Sequence, residues 1–181
     1  MNKIILVIIA IIVVGVVGCL AYWPINKTET PKEIEKAVLE PKNGTYVVEG
    51  KSVILKNGYS EEEIAPGSAS KLITQYFGNE VKADFNGDGV QDVAFLLTQD
   101  GGGSGTFYYV AALLSNKERF IGTNAILLGD RIAPQTTEFS NGMIVVNYAD
   151  RKPGEPFTTQ PSVGVSKYFK IIDGKVVEIK L

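Results

Sequence analysis

The chain has 181 residues, with 18 basic and 20 acidic side chains, one cysteine, one tryptophan and no histidine. That length suits one domain with a real core. The missing histidine excludes Ser-His-Asp and Cys-His nucleophiles, His-ligated zinc and an imidazole base. A lone cysteine excludes an internal disulfide, and a net charge of −2 gives no electrostatic reason to bind nucleic acid. The chemistry that remains is carboxylate, hydroxyl, lysine and backbone.

After Met1-Asn2-Lys3 the chain is uncharged through Asn26 and dominated by Ile, Val and Leu. Helix over residues 4–23 would be about 30 Å long, the thickness of a hydrocarbon core. Tyr22-Trp23-Pro24 would then supply interfacial aromatics and a helix stop. Residues 1–25 are therefore expected to be a transmembrane anchor or signal segment. Three fates are open: an uncleaved single-span anchor, lipidation of Cys19 within the lipobox-like Val16-Val17-Gly18-Cys19, or cleavage after Ala21. The apolar run continuing past Cys19 favours the anchor, with a lipoprotein as second choice. Counting Lys3 against Lys27, Lys32, Lys36 and Lys42 would place the domain inside. Large domains translocate with little regard to flanking charge, however, and the short lysine-bearing lead resembles a secretory n-region. An extracytoplasmic domain is the preferred orientation.

Residues 26–42 read as a stalk. Thr30-Pro31-Lys32-Glu33 is a helix start, with Thr30 as N-cap, Pro31 at the first position and Glu33 closing a capping box; Pro41 ends the segment. Residues 43–181 are expected to form a mainly β, antiparallel domain, or an α+β domain with one packed helix. Strands are predicted over residues 45–49 and 52–56 around a Gly50-Lys51 turn, and Asn57-Gly58 marks the next turn. Residues 68–77 fit either a helix or a strand. Further strands are predicted over residues 92–98, 106–114, 125–128 and 143–148. Residues 150–164 form a long Pro- and Gly-containing loop, and residues 168–172 and 176–179 flank an Asp173-Gly174 turn.

One motif carries chemistry. Asp84, Asn86, Asp88 and Asp92 stand at positions 1, 3, 5 and 9 of a loop, with Gly89 at position 6. Calcium takes six to eight oxygens at about 2.3–2.6 Å, which a short loop supplies by curling around the ion. Asp84, Asn86 and Asp88 would face inward, Gly89 would take the sharp turn, and the Val90 carbonyl would follow. Asp92 would complete the set directly or through water. The plainer alternative is a polar Asn-Gly/Asp-Gly turn between strands.

The loop resembles the calcium loops of FG-GAP and VCBS repeats, the integrin-type propeller modules, and the first half of a dockerin loop. Asp84, Asn86, Asp88, Gly89, Asp92 and the apolar run after them carry the likeness. Phe95 stands where an EF-hand or dockerin has its bidentate glutamate, and the motif occurs once where a propeller needs several. The resemblance implies a strand-loop-strand site for structural Ca²⁺, not a propeller. The ectodomain as a whole also looks like small anchored bacterial proteins.

The function expected is a membrane-anchored cell-envelope protein, non-catalytic, binding an envelope protein or glycan, or supporting an assembly. The alternative is a histidine-free, carboxylate-dependent envelope enzyme such as a glycan hydrolase. Weaker features have plainer readings. The glycines around Ser104 lack the lysine of a phosphate loop and the second glycine of a nucleophile elbow. Glu61-Glu62-Glu63 reads as a solvated acidic turn. Asp130-Arg131 and Asp150-Arg151-Lys152 read as surface pairs. Tyr108, Tyr109 and Tyr148 could form a sugar-stacking platform, or sit in the core.

Overall fold

The computed structural model describes residues 39–116 and 119–181. The expected membrane segment, Cys19 and residues 30–38 of the expected stalk helix lie outside them. Among the described residues no helix is long and apolar enough to cross a membrane.

The described chain is almost entirely strand: β1 (Thr45–Val48), β2 (Lys51–Ile54), β3 (Tyr59–Glu63), β4 (Lys71–Ala83), β5 (Asp92–Asp100), β6 (Phe107–Ser115), β7 (Phe120–Gly122), β8 (Ile126–Asp130), β9 (Ala133–Ser140), β10 (Met143–Asp150), β11 (Val163–Ile172) and β12 (Lys175–Ile179). A single 3-10 turn, Pro41–Asn43, precedes them. The mainly antiparallel β domain is thus observed, and its packed helix is not. Residues 68–77 fall largely in β4, because their neighbour β5 needs a hydrogen-bonded partner along its whole length.

Three sheets share this chain: a β1–β2 hairpin, a sheet ordered β3-β4-β5-β6-β7 with β8 also on β6, and a sheet ordered β12-β11-β10-β9. The centre is β5 and β6. Nearly every residue in them is buried, so the apolar runs Val93-Ala-Phe-Leu-Leu97 and Val110-Ala-Ala-Leu-Leu114 need cover on both faces. On one face Val93, Phe95, Leu97, Tyr109, Ala111 and Leu113 meet Tyr46, Val48, Val53 and Leu55 of the hairpin region. On the other, Ala94, Leu96, Val110, Ala112 and Leu114 meet Ile144, Val146, Tyr148, Phe169 and Val176. Each large apolar side chain buried in this way contributes about 1.5–3 kcal/mol.

The hairpin closes the first of these cores into a barrel with one seam. Val47 donates to the Thr123 carbonyl at 3.1 Å and accepts from the Ala125 amide at 2.8 Å, in a parallel bridge to Asn124. Thr123 is in turn fixed to β6: its amide donates to the Ala112 carbonyl, and its hydroxyl accepts from the Ala112 amide at 2.9 Å. The Asn124 side chain behaves like a short piece of strand. Its Nδ2 donates to the Val176 carbonyl at 3.0 Å and its Oδ1 accepts from the Val176 amide at 2.9 Å. Residues 123–125 therefore join all three sheets.

Four two-residue turns have both central residues at positive φ: Glu49-Gly50, Asn57-Gly58, Asn141-Gly142 and Asp173-Gly174. This is the type I′ geometry, whose twist matches that of the flanking strands. The first turn lies one residue earlier than the Gly50-Lys51 turn expected, and pairs Val48 with Lys51. Glu61, Glu62 and Glu63 are strand residues of β3, not a turn, because β4 supplies a partner for their backbone. Tyr109 and Tyr148 are buried, and adjacent Tyr108 and Tyr109 face opposite sides of the sheet. The three tyrosines form no shared platform. Burial pushes the hydroxyls of Tyr109 and Tyr148 up to about 12, aided by the charges of Glu49 and Asp150 respectively.

Gly122 tests the barrel closure. A Cβ there would overlap the Thr45 carbonyl oxygen and the Tyr46 ring. Gly122→Ala should lower the urea-unfolding free energy by about 1–3 kcal/mol, the cost of overpacking. Gly164→Ala, with nothing within 4 Å, should leave it nearly unchanged.

Candidate cation loop and surface concavities

Residues 84–91 connect β4 to β5, whose last pair is Ala83–Asp92. Loop geometry follows from the Asp84 carboxylate. Its Oδ1 accepts the amides of Gly87 at 2.7 Å and Asp88 at 3.1 Å, and its Oδ2 accepts that of Gly89 at 2.8 Å. These bonds, the one from Gly89 foremost, hold the Asp84 carboxyl below its ordinary pKa. Gly87 and Gly89 have φ near +80° and open space where a Cβ would stand. Backbone conformation, not crowding, demands glycine there.

Asn86 and Asp88 are exposed and tied to each other. The Asn86 Oδ1 accepts the Asp88 amide at 3.0 Å, and its Nδ2 donates to the Asp88 Oδ2 at 3.2 Å. The Asp88 Oδ1 accepts the Val90 amide at 2.8 Å. Asp92 is different: it is fully buried. Its Oδ2 accepts the Phe85 amide at 3.0 Å and its Oδ1 the Ser115 amide at 2.9 Å, clasping the loop to the end of β6. Burial pushes the Asp92 carboxyl up, the two amides pull it down, and the charges of Asp88 and Asp84 add to the rise.

The four oxygen-bearing side chains expected from the sequence thus lie on one loop, three at its surface and Asp92 beneath. The structure places Val90 there half-buried, its amide turned to Asp88. Among the described residues no three Asp, Glu, Cys or His side chains gather as a ligand set. A carboxylate has about four lone-pair sites. Asp84 uses three of them and Asp88 two, so oxygen capacity remains facing solvent. Oxygen donors of this kind suit a hard cation. Asn86 and Asp88 are the exposed ones, Asp84 is half-buried and accepts three amides, and Asp92 is buried and accepts two.

Surface concavities were not legible in the sequence. One of about 540 Å³ is lined by Glu40, Lys42, Asn43, Tyr76, Glu80 and Lys82, among others. Tyr76 donates to Glu80 at 2.6 Å, Lys82 pairs with Glu80 at 3.1 Å, and the Lys42 ammonium lies 5.2 Å from the Tyr76 ring centre. The Tyr76 hydroxyl above all holds Glu80 below its ordinary pKa. Those contacts favour the ionised form of Glu80, which accepts both bonds.

The two charge pairs expected on the surface come together at the long loop. Asp130 and Arg131 form a two-point, largely buried pair at 2.7 and 3.1 Å. Arg151 donates to the carbonyls of Arg131 and Thr159, and the Arg131 guanidinium lies 4.0 Å from the centre of the Phe157 ring. These bonds order residues 151–162 and give Arg151 a structural task. The glycines around Ser104 form an exposed turn whose Gly102 amide donates to Asp100 at 2.7 Å.

No family model, curated protein or solved structure matches the chain.

Asp92→Asn should cost about 1–3 kcal/mol in urea unfolding, because an amide has one acceptor and would turn its NH₂ toward a buried backbone donor. Glu80, with its lowered pKa, contributes stability above its unfolded-state pKa and loses that contribution as pH falls through its folded value. Tyr76→Phe should therefore flatten the acid side of the stability–pH profile, as measured by urea titrations between pH 3 and 7.

Proposed function

We propose that this chain is a single-pass, membrane-anchored cell-envelope protein whose β domain is a non-catalytic binding or assembly module stiffened by structural Ca²⁺. The observation that carries the reading is the curled loop of residues 84–92, with Asp84 gathering three amides around a left-handed Gly89 and Asn86 and Asp88 left at the surface. Asp84, Asn86 and Asp88 would hold the ion, Asn86 and Asp88 exchanging their mutual hydrogen bond for it, with the Val90 carbonyl adding a neutral oxygen. Asp92 would act through water or as the buried negative charge that the cation offsets. Calcium supplies charge neutralisation there, and no reaction step is assigned to it.

Composition supports the outward orientation. The domain has no cysteine and hence no disulfide staple, so a metal that binds only the folded form takes that role. A hundredfold excess over Kd stabilises by about 2.7 kcal/mol. Extracellular calcium reaches such an excess far more readily than cytosolic calcium. The N-terminal apolar segment would anchor the chain, by its span or through a lipid on Cys19.

One experiment tests both halves. Protease added to intact cells should cleave the domain, and chelation of calcium should speed that cleavage, with Asp84→Asn abolishing the calcium effect. Complete protection in intact cells would overturn the orientation. Equal cleavage with and without chelator, with no heat of calcium binding by calorimetry, would overturn the metal.

A further inference from the structure

The barrel seam between β2 and β3 has two lips that are unpaired among the described residues. In an antiparallel ladder, residues alternate between facing the partner strand and facing away. On β2, the two-residue turn makes Val48–Lys51 the closing bonded pair, and Leu55 donates to the Gly44 carbonyl at 2.9 Å. Lys51, Val53 and Leu55 therefore face β1, and Ser52 and Ile54 turn their backbone groups away. On β3, the bonds from Ile64 to the Ser70 carbonyl and from Tyr76 to the Gly58 carbonyl set the phase. Tyr59, Glu61 and Glu63 consequently turn away from β4. The lips meet at one point only among the described residues, where Lys56 and Tyr59 exchange bonds of 2.9 and 3.1 Å. Beyond it they part around an open groove of about 380 Å³, lined by Ser52, Ile54, Lys56, Tyr59, Glu61 and Glu62, among others.

The lips are short and carry charged Lys56, Glu61 and Glu62, which guard an edge against non-specific pairing, and the groove between them is open. Ile54 is 57% exposed and Tyr59 39% exposed at its outer margin. Beside it lies a smaller concavity of about 60 Å³, lined by the exposed Glu49, Lys51 and Glu62 and by buried Thr74 and Gln99, among others. Two glutamates thus line that concavity with one lysine, and Glu62 has no ion pair among the described residues. The charge of Glu49 reaches the interior, where it acts on the Tyr109 hydroxyl.

We propose that this seam accepts one extended segment of another protein as an added strand, with a lysine or arginine turned inward to Glu49 and Glu62 and an apolar side chain turned outward against Ile54 and Tyr59. Alternate residues of a strand point to opposite faces, so a segment alternating basic and apolar side chains satisfies both sides at once. The free groups of Ser52 and Ile54 bond one edge of the guest, and those of Glu61 and Glu63 the other. Because β2 and β3 run in opposite directions, the guest is parallel to one lip and antiparallel to its neighbour. Main-chain bonds supply affinity and the two side-chain environments supply selection. This proposal rests on the binding-module reading and names its partner class.

The full chain in detergent micelles would be mixed with a blocked seven-residue peptide alternating valine and lysine. Controls are a valine–glutamate peptide and the lysine peptide with N-methylated amides. Amide hydrogen exchange at Ser52, Ile54, Glu61 and Glu63 should slow with the lysine peptide alone. Glu62→Lys should weaken binding about tenfold or more, and Glu49→Gln in the same direction, which serves if Glu62→Lys does not fold. Unchanged exchange at those amides, or equal binding of the valine–glutamate peptide, overturns the proposal. So does protection that appears without peptide and rises with protein concentration alongside a sedimenting dimer, since the guest is then a second copy. Protection confined to residues 151–162 also overturns the seam while leaving a binding module in place. Loss of the calcium effect on proteolysis fails the metal reading alone.

Discussion

The structure depends on covering both faces of one strand pair. β5 and β6 are apolar at successive positions, so a single sheet packed on one side would leave half of their side chains in water. Two covers solve this by different means. The four-stranded sheet packs flat against one face, and the β1–β2 hairpin curls over the other to make a small barrel interior. The covers are fixed to one another through residues 123–125. There a backbone bridge to Val47 and a side-chain bridge to Val176 leave the Asn124 amide with both its donor and its acceptor used. Polar groups placed so close to two cores would be costly without those bonds.

The loop of residues 84–91 sits at the end of this arrangement, not apart from it. Asp92 starts β5, and its two oxygens hold the Phe85 and Ser115 amides. A carboxylate buried at that point ties loop, core and the end of β6 together. Its raised pKa reports what burial costs. Positive charge held by Asp84 and Asp88 above it would relieve that cost, which gives a physical route from a surface ion to core stability. The seam lies elsewhere, at the other side of the hairpin. Its lips are the outward edges of β2, which pairs with β1, and of β3, which pairs with β4.

Much of the strand pattern was legible residue by residue. Asn57-Gly58 and Asp173-Gly174 declared themselves as tight turns because few other pairs accept two positive φ angles. Alternation marked Tyr46, Val48, Val53 and Leu55 as one face, and it does so equally for a turn at Gly50-Lys51 or at Glu49-Gly50. The bonds of Val47 to residues 123–125 select between those registers. β3 was hidden because three glutamates carry no apolar signal on an edge strand. The polar, largely exposed β9 was hidden for the same reason, and β7 because three residues are too few to show a period. Residues 68–77 carry apolar side chains at spacings that suit either period, and only the unpaired flank of β5 makes them strand.

By itself the sequence determined the chemistry: no imidazole, no disulfide in the domain, oxygen-bearing side chains at fixed spacing, and strands separated by left-handed turns. These depend on residue identity and on separations of a few positions, which local sterics translate directly into geometry. Tertiary structure decided which side chains share a space. It buried Tyr109 and Tyr148 and committed Asp92 to two amides. It also turned Arg151 into a pin for the long loop and set Glu49 beside Glu62 at an open seam. Those outcomes rest on contacts between residues far apart in the chain, and a spacing rule carries no information about them.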